Sequence, residues 1–253
     1  MNALLSTFHL MNRGLREAMR QPGVELTNIF IPMFFFAVTV GAIGSVAGMA
    51  FGVDNFLAFQ MPVAILQAVA GTSGSAGLGT VTDIERGYFD KLLLTPAPRI
   101  SLLLGRLSAD AVRAMGLTVL ILLAGLAAGS GMEAGIIGIA AILVLTGLFG
   151  LAYSAIGMAI ALRTGSPQAA QLSFLIFFPL LFLSPAFAPK EIFAGWLEFL
   201  ATINPVTYIL QGMRHLILEG WSWGSFAGAL GSILGLGAFT MTMSFAALRW
   251  RTS

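Results

Sequence analysis

The sequence contains no cysteine among its 253 residues and only two histidines. The lack of cysteine excludes a disulfide framework, a thiol nucleophile and a thiolate metal site. Two histidines leave little for a histidine metal cluster. Charged residues make up 9% of the chain, against about 25% in a soluble domain. With 57% hydrophobic residues and a mean hydropathy of +0.90, the chain has too much apolar surface for a soluble fold, so its surroundings must be largely lipid.

The basic residues indicate membrane orientation rather than nucleic-acid binding. The formal net charge is +2 and the pI about 9.4, but the basic residues are scattered between apolar runs and form no dense patch. Eleven of the 13 lie in segments 1–26, 82–113, 163–167 and at the C-terminus, and the others are Lys190 and Arg214. Because Lys and Arg concentrate on the cytoplasmic side of membrane proteins, we expect those four segments and both termini to be cytoplasmic.

Six apolar runs are long enough to cross a hydrocarbon layer of about 30 Å. We therefore predict an all-α integral membrane protein, forming a single transmembrane domain over 1–253. The predicted spans are 27–50, 55–81, 107–129, 135–162, 168–187 and 224–248. Small residues at GxxxG spacing predict close helix packing, at Gly44 and Gly48, Gly125 and Gly129, Gly224 and Gly228, and Gly231 and Gly235.

The first 26 residues predict a helix that lies in the membrane interface. Arg13, Arg16 and Arg20 lie inside this segment rather than ahead of an apolar run, which is unlike a secretory signal. Pro22 and Gly23 end the helix. One apolar stripe at three- or four-residue spacing defines it over residues 3–21: Leu4, Phe8, Met11, Leu15 and Met19.

Residues 188–223, between the fifth and sixth predicted spans, are too polar to face lipid. Asn204 followed by Pro205 predicts a helix N-cap with proline at the first helical position. We expect two short helices, at about 190–202 and 205–219, that dip into the membrane from outside or lie on it. Residues 224–253 then form the sixth span and a cytoplasmic tail.

The segment between spans 2 and 3 combines charge with an amphipathic pattern. Thr82 and Glu85 have capping-box spacing, which predicts a cytoplasmic helix over 83–95. Pro96 and Pro98 end it. The residues alone leave two interpretations open. The helix is either an interfacial connector or a lever on which a soluble motor docks.

At this point the sequence resembles a family, the type-2 ABC exporter permeases. The resemblance covers essentially the whole chain, and it is greatest to daunorubicin-resistance-like and nodulation-factor-export-like permeases of bacterial membranes. It is carried by Glu85-Arg86-Gly87-(x)2-Asp90-(x)-Leu92-Leu93-Leu94-Thr95-Pro96, by the run from Arg99 to Arg106, by Ser184-Pro185, and by Asn204-Pro205-Val206-Thr207-Tyr208.

The resemblance implies a coupling helix on which a separate ATPase docks, and an N-terminal connecting helix. Two permease subunits, expected as a homodimer, would form the pore with two ATPase subunits that bind ATP and Mg²⁺. This chain has no GxxxxGK[ST] motif, so we expect it to hold no cofactor and not to be an enzyme. Gly87 is expected to allow close backbone approach. The implied docking residues are Glu85, Arg86, Gly87, Tyr88, Phe89, Asp90 and Lys91.

Aromatic and amide side chains mark a candidate substrate path, and the re-entrant motif consists of Asn204, Pro205 and Tyr208. If the path lines a dimer interface, it suits export of a hydrophobic or amphipathic drug or lipid, with a lipid-linked glycan or polysaccharide as the alternative within the family. Phenylalanines that face lipid would give the same pattern. The path candidates are Phe34, Phe35, Gln60, Gln67, Phe177 and Phe178.

Two other classes of protein fit less well. An ion-coupled secondary transporter often has an ionisable residue within a span, and the cores of spans 1, 2, 4, 5 and 6 have none. A rhomboid-like serine protease would use Ser73 of a GxSG pattern, and its serine needs a base within hydrogen-bond reach. The two histidines, His9 and His215, lie outside the spans, so we interpret Ser73 and its neighbouring glycines as packing residues.

Overall fold

The computed structural model describes residues 3–95 and 98–252, so Pro96 lies outside the described residues. Within these ranges the chain is helical, which confirms the predicted all-α class. One turn of 3₁₀ helix, Lys190–Ile192, accompanies the α-helices. These are α1 (Ala3–Met19), α2 (Pro22–Phe51), α3 (Phe56–Glu85), α4 (Tyr88–Leu93), α5 (Arg99–Ala127), α6 (Gly135–Thr164), α7 (Pro167–Phe182), α8 (Gly195–Ile203), α9 (Pro205–Leu218) and α10 (Trp223–Thr252).

Five helices in the described part of the chain are long and apolar enough to cross a membrane. They cover Pro22–Ala47, Phe56–Glu85, Arg99–Ala127, Gly135–Thr164 and Trp223–Arg251, and they correspond to predicted spans 1, 2, 3, 4 and 6. The fifth predicted span differs, because α7 has 16 residues and covers only about 24 Å. Residues 183–188 form turns, since Pro185 has no N–H with which to continue the helix.

Helix α3 lies at the centre of the bundle. It packs against α2, α5, α6, α7 and α9, and most of its side chains are buried. Met61, Ile65 and Leu66 belong to the main apolar core, together with residues of α5, α6 and α9. Helices α2 and α10 are peripheral and expose most of their apolar surface. Because α3 is central and has 30 residues, one helix runs between the two ends of the bundle and contacts most of the other helices on the way.

Helices α3 and α6 cross with their backbones in contact. A Cβ atom on Gly77 would lie 2.6 Å from the carbonyl oxygen of Gly157, and one on Gly157 would lie 2.5 Å from the carbonyl oxygen of Ser73. The Ser73 hydroxyl lies 3.1 Å from that of Ser173 on α7. Small residues are therefore required here, as the packing interpretation of the GxSG pattern predicted.

The predicted GxxxG pairs contribute less to packing within the chain. Gly125 lies against the side chain of Met61, but among the described residues nothing lies within 4 Å of a Cβ built on Gly228, Gly231 or Gly235, and one on Gly224 meets only the Ser222 hydroxyl at 3.9 Å. These four glycines belong to α10, which exposes most of its apolar surface. Close approach is achieved instead by single glycines on α3, α5 and α6, which the GxxxG pattern did not select.

The four basic segments meet at one end of the bundle. Helix α1 packs along α5, and Nη1 of Arg251 donates to the carbonyl of Leu162 at 3.3 Å. The Arg163 guanidinium lies 5.3 Å from the ring centre of Trp250. An apolar cluster beneath them joins α4, α5, α6 and α10 and includes Phe89, Leu103, Leu162 and Leu248. We call this the basic end.

Replacing Gly77 with alanine should destabilise the protein, because the new methyl group would collide with the backbone of α6. Overpacking of this kind costs about 1–3 kcal/mol. Gly231→Ala is the matched control, since it adds the same methyl group to a helix where nothing lies within 4 Å. Thermal unfolding in mild detergent should show a lower midpoint for Gly77→Ala alone. Equal midpoints for the two variants would contradict the close crossing.

Candidate functional site at the basic end and in the adjoining cavities

The predicted coupling helix begins later than expected. Helix α3 continues through Thr82 to Glu85, and the Thr82 hydroxyl donates to the carbonyl of Leu78 at 3.0 Å. The capping-box prediction was therefore wrong, because the hydroxyl bonds back to the preceding turn, as threonine does inside a helix. A turn at Arg86 and Gly87 interrupts the helix, and the separate helix α4 covers only Tyr88–Leu93.

Gly87 adopts a backbone conformation that favours glycine. Its φ is +65°, in the left-handed region that side chains with a Cβ rarely adopt. Among the described residues, no atom lies within 4 Å of a Cβ built there, and the expected close approach to an ATPase stays a prediction. The positive φ sets the angle between α3 and α4.

The predicted docking residues form one exposed segment with a buried anchor. Glu85, Arg86, Tyr88, Asp90 and Lys91 are exposed. By contrast, Phe89 is 6% exposed and packs in the apolar cluster of the basic end. The backbone of the segment is thus fixed to α5, α6 and α10 while its charged side chains remain free to meet another molecule. We call residues 85–91 the docking segment.

A buried carboxylate links the docking segment to two other helices. One oxygen of Asp83 accepts a hydrogen bond from Arg13 Nη2 at 2.6 Å, and the other accepts one from Arg106 Nη2. Arg13 Nε also donates to Glu17 at 2.8 Å. Partial burial tends to lower the pKa of Arg13, but the hydrogen bond and charge of Asp83 and the charge of Glu17 outweigh it and raise the pKa. This network joins α1, α3 and α5.

A second ion-pair network lies deeper in the bundle. Arg113 of α5 pairs with Glu25 of α2 and, at 2.8 Å, with Asp110. The other oxygen of Asp110 accepts a hydrogen bond from the backbone N–H of Ala76 at 3.1 Å. Sequence reasoning did not predict Glu25 or Asp83 as partners of these arginines. Their partners lie 88 and 23 positions away along the chain.

The predicted path residues are partly brought together. A cavity of about 420 Å³ between α2, α3 and α7 is lined by Phe35, Gln60, Gln67 and Phe178. Gln60 is 2% exposed, and its Oε1 has no hydrogen-bond partner among the described residues. Gln67 also lines a second cavity of about 620 Å³ nearer the basic end. The two cavities therefore follow one another along the same three helices.

Two of the predicted path residues lie elsewhere. Phe177 is fully buried against Phe149 and Tyr153, with ring centres 6.3 Å and 5.7 Å away, so it belongs to the core. Phe34 is 54% exposed and lines neither of the two cavities. Their neighbours Phe178 and Phe35 line the smaller cavity instead, because adjacent helical residues point about 100° apart.

The motif after α8 caps a helix as predicted. The Asn204 side-chain oxygen accepts from the N–H of Val206 at 3.0 Å, and its Nδ2 donates to the carbonyl of Leu180 at 2.5 Å. Pro205 occupies the first helical position, and the Tyr208 hydroxyl donates to the carbonyl of Thr202 at 2.8 Å. Asn204 therefore caps the start of α9 and also satisfies a carbonyl at the end of α7.

Helix α9 packs inside the bundle rather than lying on its surface. Its Arg214 side chain is buried, with Nε donating to the carbonyl of Phe59 at 2.9 Å. The remaining nitrogens donate to the carbonyls of Pro185 at 2.5 Å and Ala186 at 2.9 Å. The guanidinium also lies 3.5 Å from the ring centre of Phe59. Arg214 thus holds the turns that follow α7, next to the smaller cavity.

The sequence profile of ABC-2 type transporters matches residues 6–218, which include the docking segment, both cavities and the Asn204 motif. The chain belongs to this family. The resemblance to type-2 ABC permeases that was drawn from the docking segment is thereby confirmed.

Several relatives of this ABC-2 permease carry names that refer to drug resistance or transport. The daunorubicin resistance ABC transporter permease protein DrrB1 of Streptomyces coeruleorubidus is 26% identical over 196 residues, 77% of this chain and 69% of the relative. The probable doxorubicin resistance ABC transporter permease protein DrrC of Mycobacterium tuberculosis is 24% identical over 217 residues, 86% and 77% of the two chains. The putative transport permease ycf38 of Cyanophora paradoxa is 27% identical over 223 residues, which are 85% of this chain and 75% of the relative.

The ABC-2 permease has no protease-like arrangement around Ser73 in its described residues. The hydroxyl of Ser73 meets that of Ser173. His215 is engaged with Glu219, with 3.2 Å between Nε2 and the carboxylate, and His9 lies on α1. Neither histidine is placed to accept a proton from Ser73, which agrees with the packing interpretation.

Replacing Asp83 with asparagine should destabilise the ABC-2 permease, because Arg13 and Arg106 would lose their shared carboxylate. Removing one partner of a fully buried ion pair costs about 3–5 kcal/mol, and the loss here should be smaller, because Arg13 is 32% exposed and Glu17 remains beside both arginines. Asp90→Asn is the matched control, since Asp90 is exposed and forms no ion pair among the described residues. Unfolding of the purified proteins by a denaturing detergent, followed by tryptophan fluorescence, measures the difference. An unchanged midpoint for Asp83→Asn would contradict a structural role for the network.

Proposed function

We propose that this chain is the membrane-spanning subunit of an ATP-driven exporter that works by alternating access, with ATP hydrolysed by a separate subunit. ABC-2 permeases generally work with an ATPase subunit, which supports this division of labour. The observation that carries the proposal is the docking segment, a short charged surface fixed to the bundle by the buried Phe89. A partner that moves this segment also moves the helices beneath it.

The proposed complex contains two copies of this chain, as a homodimer, and two ATPase subunits that bind ATP and Mg²⁺. Each permease crosses the membrane six times, with α7 and the turns after it forming the fifth crossing. The basic end faces the cytoplasm, since eleven of the 13 basic residues lie in its four segments. Both termini are then cytoplasmic. The protein resides in the inner or plasma membrane of a bacterium.

The proposed substrate is hydrophobic or amphipathic, a drug or a lipid. The two cavities lined by Gln67 follow one another along α2, α3 and α7, and their lining is mainly apolar with a few amides. Such a lining accepts apolar groups and offers hydrogen bonds at few points, as small-molecule sites do. The names of the drug-resistance relatives agree with this class.

Reversing the charge of two docking residues should abolish assembly with the ATPase. In Glu85→Lys, Asp90→Lys, like charges would replace attractive contacts, and loss of a charged contact in an interface costs about 2–5 kcal/mol, or roughly 30- to 5,000-fold in affinity. The tagged chain would be purified gently from native membranes, and co-purifying ATP-binding subunits would be quantified by mass spectrometry.

Glu191→Lys, Glu198→Lys is the matched control, because both residues are exposed and lie in the segment between α7 and α9, away from the basic end. It should retain the ATPase at the level of the natural chain. If no ATPase accompanies the natural chain in several mild detergents, residues 85–91 are only an interfacial connector and the proposed division of labour is wrong.

Filling the smaller cavity should stop transport without disturbing assembly. Thr39 lines this cavity, so Thr39→Trp should occupy its space and lower efflux of a labelled amphipathic drug about tenfold or more. Thr242→Trp adds the same ring to the exposed surface of α10 and should leave efflux unchanged. ATPase co-purification should be normal in both. Normal efflux by Thr39→Trp would show that the substrate takes another route.

A further inference from the structure

A third cavity, of about 430 Å³, lies at the basic end between α1, α3 and α5, and its lining is mainly polar. Its lining includes four carboxylates and five arginines. The arginines are Arg13, Arg20, Arg86, Arg106 and Arg113. This combination of buried networks and a cavity is not explained by the docking of an ATPase on residues 85–91.

The cavity has more hydrogen-bond donors than acceptors. Both oxygens of Asp83 and both oxygens of Asp110 already accept hydrogen bonds. Three buried donor atoms in the lining have no partner among the described residues, namely Arg13 Nη1, Arg113 Nε and Asn28 Nδ2. The Arg113 side chain is only 9% exposed, so water does not readily replace the missing acceptor. A ligand for this cavity must therefore bring acceptors.

Two further arginines add positive charge at the mouth of the cavity. Arg20 and Arg86 are exposed, line the cavity, and form no ion pair in the described part of the chain. With four carboxylates against five arginines, the lining carries a net positive charge. A ligand that complements this lining has hydrogen-bond acceptors and a negative charge, as an acidic group such as a phosphate ester does.

The polar cavity adjoins the apolar cavity of about 620 Å³ between α2, α3 and α7. Both are lined by Gln21, Val24, Asn28, Gly71 and Gln171. The larger cavity has no charged residue in its lining and lies within the size range of about 300–1,000 Å³ typical of small-molecule sites. A molecule with an acidic head and an apolar tail would fit both cavities, with its head in the polar cavity and its tail in the apolar one.

We infer that these two cavities form a binding site for a phosphate-bearing acidic amphiphile. The acidic head lies among Arg13, Arg20, Arg113 and Asn28, and the tail lies between α2 and α7. The site rests on the proposed function in placing the basic end at a membrane surface and in sharing its larger cavity with the proposed path. It adjoins the smaller cavity through Gln67, so its ligand occupies the first part of the proposed path.

Binding of lysophosphatidic acid to the purified full-length chain in neutral detergent tests this site. Lysophosphatidylcholine carries the same tail with a zwitterionic head, and inorganic phosphate carries the acidic group without a tail. We expect lysophosphatidic acid to bind at least about tenfold more tightly than either. Equal affinity for the two lipids would overturn the proposed site for an acidic head. If inorganic phosphate bound as tightly as lysophosphatidic acid, the apolar tail would contribute nothing, and the proposal of an amphiphilic ligand would be wrong.

Arg20→Gln should weaken lysophosphatidic acid binding about fivefold, the value expected for one basic residue near an acidic lipid. Asn28→Leu removes an unpartnered donor at nearly constant volume and should weaken it as well. Arg16→Gln is the matched control, because Arg16 is exposed on the same helix and does not line the cavity. Identical affinities for Arg20→Gln and Arg16→Gln would overturn the site. No ATPase is needed for this assay, so failure to find an ATPase partner leaves its result unaffected.

Discussion

The carboxylate of Asp83 is shared between guanidinium groups from two other helices, and this ion pair organises the basic end. Asp83 is 4% exposed, so its charge requires partners that stay in place. Arg13 holds α1 against the bundle, and Arg106 holds the start of α5. Glu85, the first docking residue, follows only two positions later on the same helix. A force applied to the docking segment therefore reaches α1, α3 and α5 through the ion pairs of Asp83, with Glu17 of α1 as a second partner of Arg13.

Features that depend on local chemistry were predictable from the sequence. The all-α class and the N-terminal helix follow from apolar periodicity, and Asn204 caps α9 because side chain and backbone are neighbours in the chain. Thr82 shows the limit of such reasoning, since its hydroxyl can start a helix or bond back into one, and the continuing α3 decided the outcome. The faces of α7 were hard to assign because most of this helix is apolar, which is why Phe177 and Phe178 were both placed in the path although only Phe178 lines it.

Partners that lie far apart in the sequence could not be predicted from patterns. Arg214 counted toward orientation as an outer basic residue, yet it donates to three backbone carbonyls near the ends of other elements. Two of them belong to the turns after α7, where a helix that ends inside the bundle leaves carbonyls without partners. A positive charge at the C-terminal end of a helix is also favourable. The early end of α7 therefore leaves carbonyls inside the bundle, and the buried Arg214 side chain donates hydrogen bonds to two of the carbonyls that follow it.

The backbone contact between Gly77 and Gly157 gives α3 a fulcrum. No side chain of either glycine separates the two helices there, so a relative motion that keeps this contact is a tilt about that point. At 1.5 Å per residue, Asp83 lies about 9 Å from the fulcrum and Gln60 about 25 Å on the other side. If α3 tilts as a rigid rod, a shift of about 1 Å of Asp83 at the basic end becomes a shift of about 3 Å in the opposite direction at Gln60, beside the smaller cavity. In the proposed transporter, a small movement imposed by the ATPase subunit would thereby be amplified beside the smaller cavity.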